Sequence, residues 1–247
     1  MGSIIYNGIS SETIGLKIWS PPDYEIPERD IEEYHVPGRS GNLIVDYGSF
    51  KNVERSYTVS CGDDDSEFLD LAKDIIVWTS TATTYARLED TYEPDYYRMA
   101  MPPKMGSIRN LLGQAAMAQL AFNCKPQRYL KTGETTVSFT PTGTVIAGSI
   151  TNPTNFTAKP LIKIYGSSGG TGNTSFNGVP IAISSLMGTN TPIVIDCELQ
   201  DCYSGATNVN SSVTLSSGFP VLEPGSTTIT IAGSITKIEV IPRWWTI

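Results

Sequence analysis

Histidine is almost missing from this chain: His35 is the only one in 247 residues. Any general base must therefore be His35 or a carboxylate, and a hydrolytic triad has a single imidazole to draw on. Cysteine is sparse as well. Of Cys61, Cys124, Cys197 and Cys202 only the last two are close in sequence. A structural zinc site needs about four Cys or His ligands, so buried free thiols are expected, with no metal and no cofactor. Positive charge is short: 17 Lys and Arg face 25 Asp and Glu, a net charge of −8. That balance argues against broad binding to phosphate backbones or anionic membranes. No window reaches the roughly 18 consecutive apolar residues of a membrane helix. "MGSIIYNGIS" lacks the basic start and apolar run of a signal peptide, so a soluble, cytoplasmically made protein is the expectation. The 40% apolar content is that of a folded chain. Its length suits one large β domain or two smaller ones, each able to bury a core.

Composition changes near residue 130. Residues 1–130 hold 19 acids and 12 basic residues, whereas 131–247 hold 6 and 5, with 34 Ser and Thr. Two domains are expected, 1–130 and 131–247, joined near "KPQRYLKTGETT" (Lys125 to Thr136).

The first half reads mostly as strands. "SYTVSC" places Tyr57, Val59 and Cys61 on one face at strand spacing. One helix is expected in "DDDSEFLDLAKDIIVWTS", with Asp64 as N-cap and Glu67 three residues on. Phe68, Leu69, Ala72, Ile75, Ile76 and Trp78 would form its apolar stripe. The acids Asp63 to Asp65 lack the alternating ligands, the turn glycine and the closing Glu of a calcium loop. "MAQLAFNCKPQRY" has helical propensity, but Pro126 and its place at the end of the domain favour a strand.

The second half is all-β in style. "TTVSFTP", "KPLIKIYG", "PIAIS", "PIVIDC", "SVTLS", "TTITIAG" and "ITKIEVIPRWWTI" are short β-branched runs between Gly, Pro, Asn and Ser clusters, the pattern of a β-sandwich. "GSSGGTGNTSFNG" (Gly166 to Gly178) reads as a flexible hairpin loop. It has no Lys and no following helix, so it is not a phosphate loop. Trp244 and Trp245 fall on opposite faces of the last strand; the outward ring suits an interface anchor or a sugar-stacking platform.

Three stretches invite a chemical reading. "PGRSGN" is not a nucleophile elbow, because Asn42 stands where the closing glycine would be. "RLEDTYEPDYYR" (Arg87 to Arg98) mixes acids and tyrosines. A carboxylate-pair glycosidase needs two acids at a set distance, with Glu89 and Asp95 as candidates, and tyrosines among acids can line a sugar groove. The stretch also fits a protein interface, where Tyr and Arg are enriched, and that reading is preferred. "EEYHVPGRSGNLIVDYG" reads as strand, turn, strand: Gly38 and Gly41 permit positive φ, and Leu43, Val45 and Tyr47 alternate beyond the turn.

Taken in order, "YNGIS", "VPGRSGNLIVDYGSFKNVERSYTVSC", the helix ending at Trp78, "ARLEDTYEPDYYRMAM", "CKPQRY", "ITNPTNFTAKPLIKIYG", "PIVIDCELQDCYSG" and "IPRWWTI" resemble the distal tail (Dit) proteins of siphophages over nearly the whole chain. The resemblance implies a mainly β protein: an N-terminal β-sandwich-like domain with one α-helix and a C-terminal galectin-like antiparallel β-sandwich. It implies a structural part of the virion tail tip, made in the host cytoplasm, and not an enzyme. Six copies would close a ring joining the tail-tube protein to the tail-associated hub protein, with receptor-binding proteins at the periphery in some phages. DNA would pass through without specific binding. The C-terminal domain has no His and, of the basic residues of galectin sugar sites, only Arg243, so lectin activity does not follow from the fold. The alternative is a carbohydrate-binding adhesion module for host-wall polysaccharide. The turn residues Pro37, Gly38, Arg39 and Gly41 are the expected joint, with Arg39 at its tip.

Overall fold

The structure, a computed structural model, describes residues 2–61, 65–105, 109–111, 115–141 and 146–247. It divides into two compact units, residues 1–128 with Ile247, and residues 129–246. The first unit runs β1 (Ile4–Tyr6), β2 (Ile9–Ser10), β3 (Lys17–Ile18), β4 (Arg29–Tyr34), β5 (Leu43–Phe50), β6 (Val53–Cys61), α1 (Asp65–Ser80), β7 (Ala86–Asp90) and β8 (Tyr96–Ala100). It continues through β9 (Lys104–Met105), β10 (Arg109–Leu111) and β11 (Ala115–Cys124) to β12 (Arg128–Leu130) at the boundary. The second unit carries β13 (Val137–Phe139), β14 (Ile146–Asn152), β15 (Leu161–Gly166), β16 (Gly172–Phe176), β17 (Val179–Ile183) and β18 (Ile193–Asp196). After these come β19 (Asp201–Ser204), β20 (Thr207–Asn208), β21 (Val213–Leu215), β22 (Gly225–Gly233), β23 (Ile235–Ile241) and β24 (Trp245–Thr246). The mainly β, one-helix fold class expected from the sequence is what is found.

In the first unit the strands lie in the order β2-β1-β7-β8-β11-β6-β3. The long antiparallel pair of β6 and β11 forms its centre, from Val53↔Cys124 to Cys61↔Ala116. "MAQLAFNC" is therefore a strand despite its helical propensity, because Leu120, Phe122 and Cys124 are needed on one buried face. The first hairpin turns on Asn7 and Gly8, both at positive φ (50° and 80°) between paired Tyr6 and Ile9. Asn-Gly is the pair that a two-residue turn of this hand selects.

Helix α1 packs through Ile75 and Trp78, both buried, and the Trp78 ring meets Tyr6 edge-on at 6.3 Å. Ile76 is a correction to the expected stripe: it is 54% exposed. One residue advances a helix by about 100°, which turns Ile76 away from the face that Ile75 and Trp78 share at i, i+3. The cap at Asp64, and the side chains of Phe68, Leu69 and Ala72, lie outside the described residues.

The second unit is a β-sandwich. A six-stranded sheet, β13-β23-β15-β18-β19-β20, faces a five-stranded one, β14-β22-β16-β17-β21. Ile162, Ile164, Ile195, Ile238 and Val240 from the first meet Phe176, Ile181, Ile183 and Ile229 from the second in one core. Each buried aliphatic side chain contributes about 1.5–3 kcal/mol relative to exposure. All seven runs picked out in the sequence are strands. "GSSGGTGNTSFNG" is a second correction: its second half is strand β16, paired on both sides with β17 and β22. The polar run conceals an alternation of buried Gly172, Thr174 and Phe176. Glycine is required at 172, where a Cβ would stand 2.5 Å from Ile235 Cγ1.

Candidate functional site

The segment around the lone histidine forms a hairpin that joins neither the main sheet of its unit nor any other described strand: β4 and β5 pair only with each other. Its turn has Gly38 and Gly41 at φ 81° and 82°, and the Arg39 N–H donates to the Val36 carbonyl at 3.2 Å. The Asn42 amide donates to Glu33 across the strand ends at 2.8 Å, and Arg29 pairs with Asp46 at 2.7 Å. Gly48 at φ 75°, with a register shift between Arg29 and Ile31, marks a bulge at the base.

Cross-strand pairing sorts the hairpin into two faces. Tyr34 opposite Leu43 and Glu32 opposite Val45 share one face, together with Tyr47. Ile31 opposite Asp46 and Glu33 opposite Ile44 share the other. Hydrogen bonds from Tyr47 and Tyr34 hold the Glu32 carboxyl below the usual carboxylate range. Neither face is covered: Tyr34, Leu43, Val45, Tyr47 and Ile44 are all exposed. An isolated two-stranded hairpin is marginally stable in water, and exposed apolar strand residues are surfaces for another chain. Pro37, Gly38, Arg39 and Gly41 sit exposed at the tip. His35 is exposed beside them, and among the described residues nothing hydrogen-bonds to its ring.

The acidic, tyrosine-rich stretch behaves differently from either reading made of it. Asp90, Glu93 and Arg98 turn into the unit. Asp90 Oδ2 accepts from Arg55 Nη2 at 3.0 Å and from Tyr57 Oη at 2.6 Å. Asp90 Oδ1 accepts the Tyr92 and Glu93 N–H groups at 2.9 and 2.8 Å. Glu93 Oε2 faces Arg55 at 3.0 Å and Arg98 at 3.6 Å, and its Oε1 accepts from Arg128 at 2.8 Å. Arg55 and Arg98 are buried, so the cluster is an internal clamp between β6, β8 and the turn after β7. Burial pushes the Asp90 carboxyl up, but Tyr57, Arg55 and the Glu93 N–H outweigh it and hold it low. Of the glycosidase candidates, Glu89 is ion-paired with Arg87, and Asp95 lies exposed on the turn. Arg98 belongs to the stretch, but Arg55 and Arg128 lie 35 residues from Asp90 and Glu93, so only the density of acids beside tyrosines hinted at the clamp.

In the second unit, Arg243 at φ 59° makes a two-pronged contact with Asp196 at 2.8 and 3.0 Å. Arg243 is thus engaged within its own unit. Trp244 is buried, and Trp245 stacks on Phe156 at 4.5 Å while its indole N–H donates to the Thr157 carbonyl at 3.0 Å. The outward ring expected as an anchor or sugar platform is therefore half-buried against its own unit.

These features define a class: a two-unit, mainly β protein with internal charged clusters and with apolar residues exposed on a separate hairpin. No family's sequence pattern matches the chain, and no curated protein is similar to it in sequence. Its fold does have solved counterparts. The Dit protein of phage SPP1, described as a paradigm of the hub adsorption apparatus in phages that infect Gram-positive bacteria, matches with a TM-score of 0.75. The match covers 100% of both chains at 14% identity. A chain of the phage p2 baseplate in its activated conformation matches with a TM-score of 0.52, over 97% of this chain and 96% of that one at 11% identity. The resemblance to siphophage Dit proteins read from the sequence is borne out: the chain has the Dit fold from end to end.

Proposed function

We propose that this protein is a structural component of a siphophage tail tip, located in the virion. It closes a hexameric ring that joins the tail-tube protein to the tail-associated hub protein, and receptor-binding proteins dock at the periphery in phages that use this arrangement. The full-length likeness to the SPP1 Dit protein carries the reading. The uncovered hairpin supports it, since a head-to-tail contact repeated by rotation closes a ring and needs an exposed surface on every copy. Arg39 and its neighbours Pro37, Gly38 and Gly41 are the proposed joint. The net charge of −7 over residues 1–130 suits a channel through which DNA slides without binding, because like charges avoid phosphate contacts.

Co-expression with the tail-tube and hub proteins, followed by electron microscopy, tests the reading. Six chains of 26.8 kDa give a ring of about 160 kDa. A monomer that binds host-wall polysaccharide and never joins the tube would replace this reading with the adhesion-module alternative.

A further inference from the structure

The segment Trp19–Glu28, between β3 and the hairpin, belongs to no strand or helix and carries Pro21, Pro22 and Pro27. Proline lacks the N–H that a sheet ladder uses, so this stretch cannot dock by pairing as a strand. It is nevertheless fixed at spaced points. The Trp19 N–H donates to the Thr58 carbonyl at 3.0 Å, and the Lys51 N–H donates to the Glu28 carbonyl at 2.8 Å. The Glu25 carboxylate accepts the Glu54 N–H, standing where a neighbouring strand's carbonyl would be.

The middle point is Tyr24. Its hydroxyl donates to Glu93 Oε1 at 2.8 Å, the oxygen that also accepts from Arg128. Its ring lies 5.1 Å from the Arg128 guanidinium and 5.7 Å from that of Arg55, both within cation–π reach. Tyr96 lies 5.1 Å from the same Arg128 guanidinium. Tyr24 is itself 58% exposed, so it adds little to the core. It sits in a socket whose parts are already held: Glu93 by Arg55, Arg98 and Arg128, and Arg55 in turn by Asp90. A preorganised socket loses little freedom when it receives the ring. The segment that Tyr24 pins leads directly into β4, whose hairpin has no sheet partner to fix its direction.

We propose that Tyr24 is a positioning residue. Seated among Glu93, Arg55 and Arg128, it latches segment 19–28 and sets the direction in which the hairpin meets a second copy of this chain. A contact repeated by rotation closes only if its angle is fixed; a hairpin on a loose tether would give open or uneven assemblies. The inference rests on the ring reading above.

The test uses the full chain with Tyr24→Ala and Tyr24→Phe. Phenylalanine keeps the ring beside the guanidinium groups and loses only the bond to Glu93. A Glu-specific protease cuts after Glu25 and Glu28, and mass spectrometry follows those two bonds separately from the rest. Tyr24→Ala is expected to speed their cleavage about tenfold, with Tyr24→Phe between it and the wild type. Ring yield with the tube and hub proteins should fall in the same order, while far-UV circular dichroism is unchanged. Wild-type cleavage in Tyr24→Ala would overturn the latch. Faster cleavage with an undiminished ring yield would overturn its role in positioning. Failure of the wild type itself to form rings would take down the ring reading and the positioning role with it, while the cleavage rates would still decide the latch.

Discussion

Asp90 and Asp196 do the same job in the two units under different exposure. Each ends a strand, β7 or β18, and accepts the backbone N–H groups two and three residues ahead, which fixes the turn that follows. Each also receives an arginine from far along the chain, Arg55 or Arg243. The settings differ. The Arg55 side chain is 4% exposed and shared with Glu93, whereas Arg243 is 30% exposed and pairs with Asp196. A charge pair closed off from water has no solvent to replace a lost partner. The first unit therefore depends on its clamp, while the second depends mainly on an isoleucine-rich core and uses its clamp to hold one turn.

The sharpest way to break this comparison is Asp90→Ala, which leaves Arg55 with one carboxylate fewer in a buried site. A loss of about 3–5 kcal/mol is expected from chemical denaturation of the full chain, and a loss below about 1 kcal/mol would erase the contrast. Asp196→Ala should cost less, about 1.5–3 kcal/mol, because Arg243 can turn to water. Equal losses at the two sites would show that burial of the arginine is not what separates them.

Acid sharpens the comparison further. Both aspartates are held below the usual carboxyl value of 3.8 by their partners. A depressed folded value stabilises the fold above the unfolded value, and that contribution is lost as pH falls through the folded one. The loss should begin near pH 4, and Asp90→Asn and Asp196→Asn should each flatten the acid limb of a denaturation curve. A limb of unchanged steepness in both variants would assign acid sensitivity elsewhere.

Thiol labelling reports which unit opens. Burial pushes Cys124 and Cys197 to about 12 and Cys202 to about 11, so all three should resist alkylation at pH 8 in the native protein. Under mild denaturant, Asp90→Ala should release Cys124 first and Asp196→Ala should release Cys197 first. Simultaneous release in both variants would mean that the units unfold together. The smallest expected effect on stability is that of Arg39→Glu: within about 0.5 kcal/mol of wild type, as for an exposed turn residue, but with weakened ring or tube assembly. Wild-type assembly in that variant would remove the turn from the interface.

The two units were legible to different degrees for physical reasons. The sandwich strands showed themselves because period-2 alternation of Ile and Val survives in the sequence, as in "LIKIYG" with its alternating burial. Strand β16 did not, because Gly172 and Thr174 fill inward positions where Cβ space is absent or shared with a hydroxyl. The hairpin turn was readable from Pro37, Gly38 and Gly41. That both faces of the hairpin lie open was not, since alternation looks the same whether its apolar face meets a core or a neighbour.

By itself the sequence determined that this is a β protein with two differently composed halves and a glycine-bounded turn at its only histidine. Local chemistry decides those features: strand periodicity, the φ freedom of glycine and the residue types available. Tertiary structure alone decided that Asp90 and Glu93 of "RLEDTYEPDYYR" join an internal clamp, that Trp245 stacks on Phe156 and that Tyr24 reaches Glu93. Arg55 and Asp90 are 35 positions apart, Tyr24 and Glu93 69, and Phe156 and Trp245 89. Side chains that meet across folded strands leave no spacing in the sequence to read.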